Sequence, residues 1–294
     1  MTETTKPDPL PTEILVRVKA AGVNPVDGII RSGVFPLIGQ PPFILGWDVA
    51  GVVEEVVPGV SRFRPGDKVF GMPMFPRAAA GYAEFVAAPS RHFALLPEGI
   101  DYAAGAALAM AGLTAWQSLI DIARVAPGQR VLIHAVAGGV GHLAAQIAKA
   151  RGAYVLGTAS AGKHDFARSV GVDEVIDYET VDFAKAANDI DVVFDLIGGE
   201  YGERSLRTLR PGGLLVSAID RMNTELAELA AHVGVRFAGI SVEPDHVGLE
   251  RLADLVVSGE LRPHVGYRFP LEEAARSHKL SAEGHVTGKI VLQP

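Results

Sequence analysis

Residues Val131–Gly157, VLIHAVAGGVGHLAAQIAKARGAYVLG, read as strand, glycine turn, helix and second strand in under thirty residues. The opening Val131-Leu132-Ile133 has the composition of a strand buried on both faces. The pattern breaks at Ala137-Gly138-Gly139-Val140-Gly141 and resumes as His142–Arg151. There Leu143, Ala144, Ile147 and Ala148 recur at helical spacing until Gly152 stops them. Ala153–Gly157 is the second strand. This is the opening of a dinucleotide-binding unit, in which glycines let the backbone turn tightly and approach a pyrophosphate. The helix N-terminus then offers its unpaired N–H groups and positive dipole end to the phosphate. Only Gly138 and Gly141 satisfy G-x-G-x-x-G, because Val136 stands in the first glycine's place. The plain alternative is a strand-to-helix turn that needs glycine only for packing.

Beyond this stretch the chain continues as strands alternating with helices. Strands are expected at 173–177, 192–197, 214–218 and 235–242, with helices at 183–187, 202–209 and 224–232 between them, the order of a doubly wound parallel sheet. Before it, Ala103–Val125 reads as an alanine-rich helix. The first hundred residues hold short strands punctuated by Gly and Pro, at Glu13–Ala21, Phe43–Val57, Asp67–Gly71, Gly81–Ala88 and His92–Leu96. Between the first two lies the turn Val23-Asn24-Pro25-Val26-Asp27, with Asp27 expected to cap a short helix to Arg31. Helices at 248–257 and 271–280 and strands at 265–269 and 289–292 make the tail a return to the first domain. The predicted fold is α/β: a β-rich barrel domain (1–108 and 258–294) plus a doubly wound parallel-sheet domain (109–257).

The 294 residues carry 48% hydrophobic and 21% charged side chains and a net charge of −7. That composition is globular, and its acidity argues against nucleic acid or an anionic membrane as the main partner. With no cysteine, thiol catalysis, disulfides and cysteine-type zinc sites are excluded. The start, MTETTKPDPLPTEILV, lacks a basic, apolar leader, and no run reaches the ~20 apolar residues of a membrane span. A cytoplasmic protein is expected. None of the six tyrosines has lysine four residues on, as short-chain dehydrogenases do, and neither G-x-S-x-G nor H-E-x-x-H is present.

Several segments together resemble the medium-chain dehydrogenase/reductase superfamily, in its zinc-free quinone oxidoreductase (zeta-crystallin-like) branch. They are AAGVNPVD (20–27), LGWDVAGVV (45–53), RFRPGDKVFG (62–71), AALAMAGLTAW (106–116), GGVG (138–141), DEVIDY (173–178) and GHVTGKIVL (284–292). The resemblance implies a GroES-like barrel and a Rossmann domain with substrate in the cleft between them. Zinc-dependent members place a cysteine at Asn24 and a His-Glu pair at Trp47-Asp48, so no metal is expected. Where the branch often carries tyrosine or lysine this chain has Ile29, and its first segment looks about one hairpin short.

By the same resemblance, Asn24 and Asp27 lie beside the nicotinamide, Asn24 orienting a substrate carbonyl through its amide and Asp27 ordering a water or a neighbouring backbone group. Turn chemistry and helix capping are their plain readings. Trp47 completes the catalytic set, as a wall more than a reacting group. Thr114 would touch the nicotinamide carboxamide, the alternative being a bond to its own helix turn. Ala137, Gly138, Gly139, Val140 and Gly141 would cradle the pyrophosphate, with Ser217 also on the cofactor. Gly157–Lys163 lacks the carboxylate that binds an NAD ribose, whereas Ser160, Lys163 and Tyr178 suit a 2′-phosphate. His134 reads as a core histidine and His285 as part of a structural turn. The expectation is an NADPH-dependent reductase of a quinone or α,β-unsaturated carbonyl, acting as a homodimer. A non-catalytic NADPH-binding sensor or structural protein is the alternative.

Overall fold

The computed structural model describes residues 2–34 and 38–294. The chain divides into two compact units, one of residues 1–113, 243–259 and 263–294, the other of 114–242 and 260–262.

The first unit opens with β1 (Glu13–Val23), α1 (Pro25–Arg31), β2 (Asp48–Val56), β3 (Lys68–Gly71), β4 (Phe85–Pro89) and β5 (Phe93–Leu95), and α2 (Tyr102–Trp116) leads from it into the second unit, which begins at Thr114. Only 48–56 of the expected 43–57 pairs as strand, and β4 begins at Phe85 rather than Gly81. β1 pairs with β2 and β4, and its Ile14, Val16 and Val18 face a core shared with Val49, Val53, Val69, Val86 and Phe93. α2 runs on as a π-helical turn, Gln117–Ile122, giving a 21-residue helix that by length and composition alone is apolar enough to cross a bilayer. Most of its apolar window, 83%, is buried inside the protein, as in a core helix.

The second unit alternates β6 (Arg130–Ile133), α3 (Gly141–Ala150), β7 (Tyr154–Ala159), α4 (His164–Ser169), β8 (Glu174–Asp177), α5 (Phe183–Ala186), β9 (Ile190–Asp195), α6 (Glu200–Leu206), β10 (Leu209–Ser217), α7 (Thr224–His232) and β11 (Arg236–Gly239). All ladders are parallel, in the order β11-β10-β9-β6-β7-β8. The direction of winding therefore reverses between β6 and β9, where doubly wound sheets bind nucleotides. Val131, Leu132 and Ile133 of β6 have no exposed surface. α3 buries Leu143, Ala144, Ile147 and Ala148, and a side chain the size of Leu143 or Ile147 contributes about 1.5–3 kcal/mol when buried. It ends in a Schellman turn: Gly152, at φ +77°, donates to Lys149 O at 2.8 Å while Ala153 N–H reaches Ala148 O at 3.1 Å.

The chain then returns to the first unit as α8 (His246–Val257), β12 (Val265–Pro270), α9 (Ala274–Ala282) and β13 (Lys289–Gln293). The first sheet is completed in the order β12-β13-β1-β2-β3-β5, and only β12 and β13 run parallel. The sequence boundary at 257/258 misplaced α8. Glu250 pairs with Arg62 at 2.7 Å, and Leu252 packs so close to Gly112 that a Cβ there would lie 2.8 Å from it. These contacts tie α8 to the first unit.

Candidate functional site

In the first unit the chain leaves β1 and enters α1 through Asn24, whose extended backbone (φ −124°, ψ 150°) suits a residue before Pro25. Asn24, not Asp27, is the capping position. Asp27 is the third helical residue and reaches back to accept the Asn24 N–H at 2.7 Å, so the expected cap is half of a capping box. The Asn24 carboxamide also meets two groups outside the helix. Its Nδ2 donates to Asp48 Oδ2 at 2.8 Å and its Oδ1 accepts from Lys289 Nζ at 2.6 Å. Lys289 also donates to Val23 O and to Asp48 Oδ2, both at 3.0 Å, and Asp48 Oδ1 accepts the Met110 N–H at 2.6 Å. Lys289 is 4% exposed and Asp48 not at all. Removing one partner of such a buried pair costs about 3–5 kcal/mol. Gly22 makes room for it, since a Cβ there would stand 2.5 Å from Asp48 Oδ2 and 2.8 Å from Ala106 O.

Asp27 opens a second buried chain. Its Oδ2 accepts the Tyr82 hydroxyl at 2.9 Å, and His278 Nε2 stands 3.4 Å from that hydroxyl. The Tyr82 proton goes to Asp27, so His278 meets it with Nε2–H. Asp27 Oδ1 and His278 Nδ1 are buried without a partner among the described residues. Burial drives the Asp27 carboxyl up to about 7, against the bonds from Asn24 and Tyr82, with the Asp48 charge adding to the rise and Lys289 opposing it. Burial likewise holds Tyr82 well above its ordinary value and brings His278 down to about 4. A carboxyl titrating near neutrality gives or holds a proton at physiological pH.

Trp47 does not join this set. It has no exposed surface, its Nε1–H donates to Arg77 O at 2.7 Å, and its ring meets Phe75 edge-on at 5.5 Å. It is a core residue, not a wall open to substrate. Ile29 is exposed.

In the second unit the turn after β6 is shaped by what glycine permits. A Cβ on Gly141 would collide with Ala135 O and lie 2.7 Å from Val136 Cα, and one on Gly138 would sit 3.1 Å from Ala135 O. Ala135 takes the left-handed region at φ +47°. Val136, in the missing glycine's place, is buried against Gly157 of β7, where a Cβ would meet Val136 Cγ1 at 2.5 Å. The glycine has moved across the turn: β7 gives up a side chain so that the turn can carry one. Helix entry leaves the first N–H groups of α3 without helical acceptors. Those of Gly139, Val140 and Gly141 donate to no backbone carbonyl among the described residues. Ala137 is buried beside them. Backbone donors at a helix N-terminus, on a turn that Gly138 and Gly141 let close tightly, fit the pyrophosphate of a nicotinamide nucleotide.

Past β7, Ser160 begins a tight turn in which Lys163 N–H donates to Ser160 O at 2.9 Å. Tyr178 follows β8 and is 40% exposed. Half-buried Lys163 has its pKa lowered by burial. Thr114 is 8% exposed within the long helix. Ser217 corrects the expectation for it: it is buried, its hydroxyl donates to Asp195 Oδ2 at 3.0 Å, and it accepts the Asp220 N–H at 3.0 Å. That hydroxyl orders the loops after β9 and β10 and has no proton left for a cofactor. His134 is the core residue expected. Ser205 donates to Tyr201 O at 2.6 Å, so His134 must give Ser205 its Nε2–H, and burial holds the ring neutral, with a pKa of about 3.

Lys289, Tyr82 and His278 were missed in the sequence. The available signal was a lysine set at the head of an apolar strand, Lys289-Ile290-Val291-Leu292.

Comparison with known proteins places both units. Residues 10–98 match the alcohol dehydrogenase GroES-like domain and residues 170–292 the zinc-binding dehydrogenase domain. The quinone oxidoreductase of Rattus norvegicus is 33% identical over 302 residues, covering 97% of this chain and 90% of that protein. A 2-haloacrylate reductase of a Burkholderia species is 35% identical over 311 residues, with 97% and 92% covered. A component of the pikromycin polyketide synthase of Streptomyces venezuelae is 35% identical over 307 residues, of which this chain spans only 8% of the length. Among solved structures, a Coxiella burnetii quinone oxidoreductase superposes with TM-score 0.93 at 36% identity, covering 99% of this chain and 93% of that one. The Escherichia coli quinone oxidoreductase complexed with NADPH superposes at 0.86 with 30% identity, covering 100% and 95%. The chain is an oxidoreductase of the medium-chain dehydrogenase/reductase superfamily and belongs to its zinc-free quinone oxidoreductase branch.

Proposed function

We propose that the chain is an NADPH-dependent reductase of quinones or α,β-unsaturated carbonyls that works without a metal. The observation carrying this reading is the state of the three positions where zinc-dependent members hold metal ligands or their neighbour. Asn24 is a carboxamide bonded on both sides, Trp47 is a buried indole, and Asp48 is a carboxylate already joined to Lys289. That donor set does not make a zinc site. Without a Lewis acid, an alcohol is a poor hydride donor, whereas a conjugated carbonyl accepts hydride with little activation.

Bound NADPH would supply a hydride from C4 of its nicotinamide. The chain's contribution is binding, orientation and proton handling. Gly139, Val140 and Gly141 offer backbone donors to the pyrophosphate. Ser160, Lys163 and Tyr178 suit the 2′-phosphate, and no carboxylate stands on residues 158–163 to repel it. Asn24 has one Nδ2 proton to give a substrate carbonyl oxygen, where negative charge grows as hydride arrives. Asp27 is the group that titrates in the working range. The partner is a second copy of the chain, joined through the free edge of β11.

The test mixes purified protein with NADPH and a panel of quinones, enones and haloacrylates, following NADPH absorbance. Consumption with at least one conjugated acceptor is expected. Tight NADPH binding with no consumption by any acceptor would instead show a non-catalytic binding protein.

A further inference from the structure

We infer that Lys289 is a positioning residue for Asn24, fixing its carboxamide so that one Nδ2 proton remains for the carbonyl oxygen of an acceptor. The inference rests on the reductase reading above and goes beyond it in assigning a task to a buried ammonium.

The argument is a count of donors and acceptors. Lys289 has three N–H donors and no acceptor, so the Asn24 atom 2.6 Å away must be the amide oxygen. Asp48 in its ionised form only accepts, so the Asn24 atom 2.8 Å from its Oδ2 must be the amide nitrogen. The two contacts agree on one orientation and forbid the flipped one, which would set oxygen against carboxylate and N–H against ammonium. The orientation of Asn24 is thus dictated by chemistry, not left to whichever ligand arrives. Nδ2 carries two protons, one goes to Asp48, and the other has no acceptor among the described residues of the first unit. Asn24 as a residue is 7% exposed, against 0% for Asp48.

Lys289 does not itself meet substrate. Its three donors are spent on Val23 O, Asn24 Oδ1 and Asp48 Oδ2, and it is 4% exposed. Its place is set by the fold: β13 pairs beside the end of β1, with Ile290 opposite Val23. Lys289 therefore reaches the residue at which β1 becomes α1.

The experiment compares two neutral replacements of the pair, so that neither leaves a lone buried charge. Lys289→Met with Asp48→Asn removes the donor to Asn24 Oδ1, whereas Lys289→Gln with Asp48→Asn keeps an amide N–H there. The methionine variant is expected to bind NADPH as the parent does and to lose about 10- to 100-fold in kcat for the carbonyl acceptor. The glutamine variant should stay within about threefold of the parent. In an Asn24→Ala background neither pair should lower kcat further, because the effect passes through Asn24. Equal kcat for the methionine and glutamine variants, or losses that add to that of Asn24→Ala, overturns the inference while the reductase reading stands. If the methionine variant does not fold, the glutamine variant still decides, since a kcat as low as that of Asn24→Ala is contrary to the claim. A parent protein that reduces no quinone or enone removes the reductase reading, and this inference with it.

Discussion

Asp27 illustrates how one side chain holds two roles. The hydrogen bond from Asn24 N–H makes it part of the helix start, and its burial lifts its pKa from 3.8 to about 7. A folded pKa above the unfolded one means that the folded state keeps the proton longer. Stability from this group is therefore complete below about pH 4 and declines as pH rises through 7. Asp27→Asn, which cannot ionise, should flatten that decline: the stability of the parent minus that of the variant should fall between pH 4 and 7, as urea midpoints would show. An unchanged difference across the window is contrary to a buried, protonated carboxyl. Lys163 makes a second test at this scale. Lys163→Ala should weaken NADPH binding about 10- to 100-fold while leaving NADH within a few-fold, since only NADPH has the extra phosphate. Equal loss for both cofactors would place the lysine elsewhere. Asn24 and Asp27 were legible as residues of interest from the turn they occupy. Lys289 was not, because nothing local marks a lysine as buried; its partners Asn24 and Asp48 lie more than 240 residues earlier. Trp47 misled for the converse reason, since alignment with a ligand position says nothing of burial.

At the scale of elements, periodicity carried most of the fold. The parallel sheet β11-β10-β9-β6-β7-β8 follows from strands and helices alternating after Arg130, and the predicted strands differ from the observed ones mainly at their ends. The boundary of α8 failed because periodicity identifies a helix without saying which core takes its apolar face. The glycine turn shows what a motif read by position alone omits. Val136 looked like damage to the fingerprint, yet it packs into the space that Gly157 leaves open. Gly157→Ala should accordingly cost about 1–3 kcal/mol by overpacking. Combined with Val136→Gly it should cost less than the sum of the two changes, because each relieves the other. Chemical denaturation of the four proteins measures this coupling, and simple additivity would show that the two side chains do not compete.

At the scale of the molecule, the two units divide the work. The first carries the buried carboxamide, carboxylate and ammonium, and the second carries the backbone donors and the lysine that we propose meet a phosphorylated nucleotide. The net charge of −7 does not oppose that proposal, since a phosphate site needs only local donors. The free edge of β11 leads to an expected dimer. Sedimentation should give twice the chain mass if β11 pairs edge to edge with its copy. A monomer at all concentrations in the parent would exclude that role for β11. The most direct test of metal-free reduction is hydride tracing. NADPH deuterated at C4 is supplied with an enone in the presence of a strong zinc chelator. Deuterium should appear on the β-carbon of the product at a rate that the chelator leaves unchanged. Product without the label, or activity abolished by the chelator and restored by zinc, would contradict it.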